Sequence, residues 1–343
     1  MSEKTERITS PQTIEGDTAA VAEEKLRPES LDDFLGQEKT REKINIFIRA
    51  AQKRKAAADH ILLCGPPGLG KTTLARIVAA ELGATLHQTS GPVLERTGDL
   101  AAMLTSLEEK DVLFIDEIHR TSRIVEEYLY PAMEDFSIDL LMGEGPSARS
   151  MKIKLEPFTL IGATTRTGLL TSPLHSRFGM ELRLEHYGRE EIERIVNRSA
   201  GILEVDISPP AAAHIAARSR GTPRVANRLL RRVRDYAEVK SDGKIGEKET
   251  LGCLEMLEID GFGLDSLDRA ILMTIIDRFG GGPVGIETIA ASVSEDRDTI
   301  EQVYEPFLLR CGLLEKTPQG RKASPLAYSH LGMTNPRERK TLL

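Results

Sequence analysis

The sequence predicts an α/β protein: a parallel-sheet P-loop domain, then a small all-helical lid domain, then a C-terminal winged helix. Three observations carry this. Gly65-Pro66-Pro67-Gly68-Leu69-Gly70-Lys71-Thr72 fits every fixed position of G-x-x-x-x-G-K-[ST] and stands between a short apolar run and a helical pattern. A second apolar run, Asp111-Val112-Leu113-Phe114-Ile115, ends in the acids Asp116-Glu117. Strand-like runs stop near Tyr187, and the chain closes with helix, short helix, turn, helix and strand–turn–strand.

Composition bounds the rest. A chain of 343 residues has room for roughly two or three domains. The net charge of −7 excludes a global basic field, so a nucleic-acid partner must meet local patches. Cys64, Cys253 and Cys311 are scattered, which argues against a zinc site or disulfide framework and fits a reducing cytosol. No apolar run approaches a membrane span, and no secretory signal is expected at the N-terminus.

Residues 1–25 are polar and predict a mobile arm. Ile44, Phe47, Ile48 and Ala51 repeat at helical spacing from Thr40 to about Lys55. Ile61-Leu62-Leu63-Cys64 reads as a buried strand. Leu74, Ile77, Val78 and Leu82 mark the helix after the loop, with Gly83 as its stop. In such a loop the glycines, Gly68 and Gly70 among them, let backbone N–H groups cradle phosphate oxygens at a helix N-terminus. Lys71 reaches the β- and γ-phosphates and the Thr72 hydroxyl holds Mg²⁺. Leu100, Met103, Leu104 and Leu107 predict a helix capped by Gly98-Asp99. The next strand delivers Asp116 and Glu117 to the sheet's C-terminal edge. There Asp116 binds Mg²⁺ and Glu117 polarises the attacking water.

A helix over Ile124 to Met133 ends at Glu134-Asp135. Residues 138–142 and 151–155 flank the turn Gly143-Glu144-Gly145-Pro146 and predict a projecting hairpin, either a surface ribbon or a partner-docking site. A strand over Phe158 to Ala163 ends in Thr164-Thr165, whose hydroxyls would face the nucleotide. A short element over Leu170 to Phe178 carries Arg177 near its end, and Leu182-Arg183-Leu184 adds a strand. Helices follow over Glu190 to Gly201, after Ser208-Pro209-Pro210, and after Gly221-Thr222-Pro223. The last carries Arg224, Arg228, Arg231, Arg232 and Arg234 on its polar face; phosphate, solvent and a neighbouring subunit all suit such a run. A linker is expected near Glu258 to Gly263.

In the final segment, Leu267 to Phe279 is helical and Gly280-Gly281-Gly282-Pro283 breaks it. A short helix over Ile286 to Val293, a turn at Ser294 and a helix over Thr299 to Arg310, bent near Pro306, follow. The strand–turn–strand over 312–323 carries Lys316, Arg321 and Lys322, and the tail adds Arg337, Arg339 and Lys340. DNA contact is the functional reading of this local basic charge, and a protein–protein module is the alternative.

These motifs occur in the order found in AAA+ ATPases, and more closely the chain resembles the RuvB family of bacterial Holliday junction branch-migration motors. Arg27-Pro28-Glu29-Ser30-Leu31, the P-loop with Thr73, Asp116-Glu117-Ile118-His119-Arg120, Tyr130-Pro131-Ala132-Met133-Glu134-Asp135, Gly162-Ala163-Thr164-Thr165-Arg166 and Asn227-Arg228-Leu229-Leu230-Arg231-Arg232-Val233-Arg234-Asp235 carry the likeness, from about Arg27 to His330. The resemblance implies ATP and Mg²⁺, with Leu26 and Arg27 on the adenine and ribose side and Lys71, Thr72 and Thr73 on phosphates and metal. It implies Thr165 as sensor 1, Arg224 as sensor 2, and Tyr187 completing the pocket. Glu134, Asp135 and Phe136 match a segment lining the nucleotide site. Arg177 matches an arginine finger acting on the neighbouring subunit. Lys316 and Arg321 match the wing's DNA contacts, although a lysine lacks bidentate geometry. The implied assembly is a hexameric ring on double-stranded DNA, docked to RuvA through the 138–155 hairpin and working with RuvC in recombination and repair. The expected division is an arm, 1–25; an ATPase domain, 26–187; a helical domain, 188–258; and a head, 261–343.

Overall fold

The computed structural model describes residues 24–142 and 149–335. Nearly all of the arm, the turn at 143–146 and the basic tail lie outside them. Before residue 184 the strands are β1 (Ile61–Cys64), β2 (Leu86–Ser90), β3 (Val112–Asp116), β4 (Ser137–Met142), β5 (Arg149–Lys154), β6 (Thr159–Thr164) and β7 (Met180–Arg183). Five of these form one parallel sheet in the order β2-β3-β6-β1-β7. The central strands are apolar without alternation because both faces are covered. Ile61, Leu63, Phe114 and Ile161 enter one core layer; Leu62, Cys64, Leu113 and Leu160 enter the other.

Helices α1 (Glu38–Arg54) and α2 (Lys71–Leu82) cover the first face. Helices α3 (Thr97–Thr105), α4 (Arg123–Glu134) and α5 (Ser172–Ser176) cover the second. β4 and β5 pair antiparallel as the predicted hairpin. Two expectations change here. Helix α3 begins at Thr97, with Arg96 rather than Gly98-Asp99 at its cap, and Leu107 lies past its end although buried. Strand β2 is an addition. Its sequence, Leu-His-Gln-Thr-Ser, shows no apolar run because it pairs only with β3, at the sheet edge.

The helical region consists of α6 (Arg189–Ile202), α7 (Pro209–Arg218), α8 (Pro223–Lys240) and α9 (Glu247–Met256). Ser208 caps α7 by accepting from the Ala211 amide, as its sequence implies. Helix α9 was not expected. It buries only Thr250, Cys253 and Leu254, too short a stripe to show a clear period. Ile192, Val196, Ala226 and Leu230 join the sheet's first core layer, so this region is anchored apolar to the sheet.

The last part has a separate core built on Ile271, Ile275, Ile289, Phe307, Leu308 and Leu313. Its elements are α10 (Ser266–Met273), α11 (Ile286–Val293), α12 (Arg297–Thr299), α13 (Glu305–Arg310), the wing strands β8 (Leu314–Thr317) and β9 (Gly320–Ala323), and α14 (Pro325–His330). The irregularity expected at Pro306 takes the form of a π-helical turn over Ile300–Tyr304 just before it. Pro306 has no N–H to offer the preceding turn, so the ladder reseats there.

Candidate nucleotide site and DNA-binding head

A cleft of about 230 Å³ opens at the C-terminal edge of the sheet. It gathers Leu26 and Arg27 from the entering chain, Gly68, Gly70, Lys71, Thr72 and Thr73 from the P-loop, Asp116 and Glu117 from the tip of β3, and Tyr187 and Arg224 from the helical region. Phe34 and Arg198, which sequence reasoning did not single out, also line it, as does Asn227 from the arginine-rich segment that carries the resemblance. Arg198 donates to the Leu26 carbonyl at 3.0 Å and so holds the entering chain against the cleft.

The loop's shape depends on two glycines in particular. Gly65 has φ 144°, and a Cβ there would lie 2.5 Å from the Leu184 carbonyl oxygen. Gly68 has φ 79° and lies under the lid, where a Cβ would meet the Arg224 Cβ at 3.2 Å. Tyr187 is buried and donates its hydroxyl to the Leu69 carbonyl at 3.1 Å, tying the lid's first residues to the loop. Lys71 is buried, donating to the Gly65 and Pro66 carbonyls at 2.8 and 2.9 Å. Burial lowers its pKa, while the charges of Asp116 and Glu117 pull it back up. The Thr72 hydroxyl stands 3.5 Å from an Asp116 carboxylate oxygen. Two hard oxygen donors side by side, next to a phosphate cradle, suit Mg²⁺.

Glu117 is held from two sides. The Thr165 hydroxyl donates to its Oε2 at 3.2 Å, and His119 Nε2 stands 3.3 Å from the same oxygen. His119 Nδ1 lies 2.9 Å from the Thr164 hydroxyl, which already accepts from the Arg166 amide. The Glu117 carboxylate can only accept, so the proton of the neutral His119 ring sits on Nε2 facing it, and Thr164 donates to Nδ1. Burial lowers the His119 pKa against the pull of Glu117. So the two threonines predicted at this strand tip divide: Thr165 touches the acid, and Thr164 orients the histidine that touches it. In the sequence His119 stands only within the Asp116-Glu117-Ile118-His119-Arg120 segment that carries the resemblance, with no role of its own.

Arg177, Glu134, Asp135 and Phe136 do not line this cleft. Arg177 and Glu134 instead pair with each other at 3.1 Å, at the ends of α5 and α4. Phe136 packs edge-on against His60 and Phe158.

In the head, Lys316 and Arg321 stand directly opposite each other across the wing. Like charges so placed repel. Glu305, 3% exposed, accepts from Arg321 Nε and forms an ion pair with Lys316, each at 2.8 Å, and Glu301 stands 3.8 Å from both. Arg321 is itself only 11% exposed at its side chain, whereas Lys316 is 51% exposed. Among the described residues no helix is long and apolar enough to cross a membrane.

A parallel-sheet P-loop domain, a strand ending in metal-side and water-side acids, a helical lid on the cleft and an appended winged helix define an ATP hydrolase of the AAA+ class. Family models agree in sequence along the chain: the Holliday junction DNA helicase RuvB P-loop domain over 26–184, the RuvB AAA lid domain over 187–260 and the RuvB C-terminal winged helix domain over 261–332. A solved Thermotoga maritima RuvB, described as a Holliday junction branch migration motor, is 51% identical, covers 91% of this chain and 100% of its own, and has a TM-score of 0.83. Two mutants of the same protein match at 51% and 52% identity, covering 91% and 90% of this chain and 99% and 100% of theirs, each with a TM-score of 0.83. The chain belongs to the RuvB family, the ATP-driven motors of Holliday junction branch migration.

Proposed function

We propose that this chain works as a ring of identical subunits on double-stranded DNA, driving junction migration with RuvA and supplying junctions to RuvC in the cytoplasm. The observation that carries the motor reading is Glu117, aimed into a P-loop cleft by Thr165 and His119. A scaffold that only binds nucleotide needs no such oriented acid.

The roles follow from position. Leu26, Arg27 and Tyr187 would receive the base and ribose. Gly68, Gly70, Lys71 and Thr73 would hold the phosphates. Thr72 and Asp116 would hold Mg²⁺, whose charge would offset that of the phosphates. Glu117 would accept hydrogen bonding from water for in-line attack, with Thr165 setting its carboxylate. Arg224, whose amide lies 3.5 Å from the Gly68 carbonyl, would report the phosphate state to the lid. Arg177, paired with Glu134, would serve the next subunit's nucleotide, together with Asp135 and Phe136. Lys316 and Arg321 would meet DNA from the head, and the 138–155 hairpin would dock RuvA. The chain then divides functionally into an arm (1–25), an ATPase domain (26–187), a lid (188–258) and a head (261–343).

Migration of four-way junctions to duplexes under ATP, with and without RuvA, tests this. Wild-type protein should convert junctions in the presence of RuvA. Glu117→Gln should bind ATP yet neither turn it over nor migrate junctions. Migration by Glu117→Gln at wild-type rate, or no migration by wild type with RuvA, would overturn the reading.

A further inference from the structure

The side chain of Arg177 has its own cradle. Its guanidinium carbon lies 4.4 Å from the centre of the Tyr130 ring, and its Nη1 donates to the Pro173 carbonyl at 2.8 Å. The Tyr130 hydroxyl is fixed in turn. It donates to Glu126 Oε2 at 3.1 Å and stands 3.1 Å from the Thr171 hydroxyl, which donates to the same oxygen at 2.7 Å. Glu126 is 4% exposed, so this anchor is desolvated and stiff. Thr171 also caps α5, the short helix that ends at Arg177, by accepting from the Leu174 amide. One buried carboxylate therefore fixes both the ring under the guanidinium and the helix carrying it. The remaining partner, Glu134, has a side chain 57% exposed and is weakly bound.

We infer that Tyr130, locked by Glu126 and Thr171, is a positioning residue that presents Arg177 to an anionic phosphate outside its own subunit, with exposed Glu134 as the partner the phosphate displaces. This rests on the reading of Arg177 as a finger acting in trans. The geometry divides the guanidinium's donors accordingly. Among the described residues Nη1 donates to Pro173 and Nη2 to Glu134, and each nitrogen of a guanidinium carries a second N–H that an incoming oxygen would use. The ring face holds the cation without consuming donors.

The test uses full-length protein and mixed rings. Tyr130→Leu should lower ATP turnover roughly 10–100-fold, as misplacement of a catalytic group does. Its affinity for a fluorescent ATP analogue should stay at the wild-type value, since its own cleft is intact. Mixed with Glu117→Gln subunits, it should regain activity, as Arg177→Ala subunits should. Tyr130→Phe keeps the ring face but loses the hydroxyl's contacts to Glu126 and Thr171, so its turnover should fall between those of wild type and Tyr130→Leu; turnover at the wild-type rate would overturn the role of the lock. Turnover by Tyr130→Leu at the wild-type rate overturns the inference. So does failure to regain activity in mixtures where Arg177→Ala does regain it. If Arg177→Ala itself gains nothing on mixing, the trans reading fails and this inference falls with it. Should Tyr130→Leu not fold, Tyr130→Met, which refills the volume without a ring face, takes its place in the same mixtures.

Discussion

Arg220 Nη2 lies 2.6 Å from Oδ2 of Asp268, and the Asp268 carboxylate is completely buried. Arg220 sits on the turn between α7 and α8; Asp268 sits in the first turn of α10. The same guanidinium reaches Asp265 at 3.0 Å and the Gly263 carbonyl at 3.1 Å, and lies 4.5 Å from the Phe307 ring centre. Arg310 closes the joint from the head by donating to the Arg220 carbonyl at 2.7 Å. Lid and head are thus joined by one largely buried cation. Removing Arg220 leaves the buried Asp268 without its strongest donor, at a cost of about 1–3 kcal/mol. Arg220→Ala should lower the melting temperature clearly and loosen the head, seen as faster proteolysis near residues 258–263.

Asp268 should also make that joint sensitive to pH. Burial pushes its pKa up to about 7, against the pull of Arg220 beside it. A carboxyl raised in the folded state stabilises fully below its ordinary value of 3.8, and the contribution fades as pH rises through about 7. Melting temperatures from pH 4 to pH 8 for wild type and Asp268→Asn should therefore differ most in slope across this window. Parallel curves would show that Asp268 does not titrate there.

His60 should act with the opposite sign. Its Nδ1 accepts from the Leu160 amide at 2.9 Å, so its proton sits on Nε2, which donates to the Met133 carbonyl at 3.0 Å. Burial lowers its pKa below 6.5, with the Met133 hydrogen bond and Asp59 opposing. The neutral ring's contribution is full above 6.5 and lost as pH falls through the lowered native value. His60→Gln should flatten the acid side of the stability profile, measured by urea unfolding from pH 7 to pH 5.

The P-loop gives a sharper prediction. At Gly65 a Cβ would sit 2.5 Å from the Leu184 carbonyl oxygen at φ 144°, so the backbone must move. Strain of this kind costs about 1–3 kcal/mol. If it falls on the binding-competent loop, Gly65→Ala should weaken ATP-analogue affinity roughly 5- to 150-fold, at 1.4 kcal/mol per decade. Titration with a fluorescent analogue measures it.

On the wing, the two cations should part company. Arg321→Ala leaves the buried Glu305 with only the half-exposed Lys316 as its cation and should cost the head about 1–3 kcal/mol, visible in thermal unfolding. Lys316→Ala should cost under about 1 kcal/mol, because that side chain is half exposed. It should still reduce the slope of log affinity against log salt for duplex DNA by about 1. Equal stability losses in the two variants would contradict the burial difference.

What the sequence determined by itself was local: the P-loop between strand and helix, the strand ending in Asp116-Glu117, the Ser208 and Pro209 helix start, and the wing's order of elements. Each is written within about a dozen consecutive residues, where period and turn chemistry suffice. Tertiary structure decided the pairings across long separations. It alone put His119 and Thr165 on one Glu117 oxygen, Glu305 beneath Arg321, and Tyr130 beneath Arg177. It also found β2, whose strand character comes from the ladder with β3 rather than from its own polar residues. A basic residue reads the same in sequence whether water or a buried carboxylate faces it. Only packing, by removing the water, turns Arg321 from surface charge into part of the head's interior.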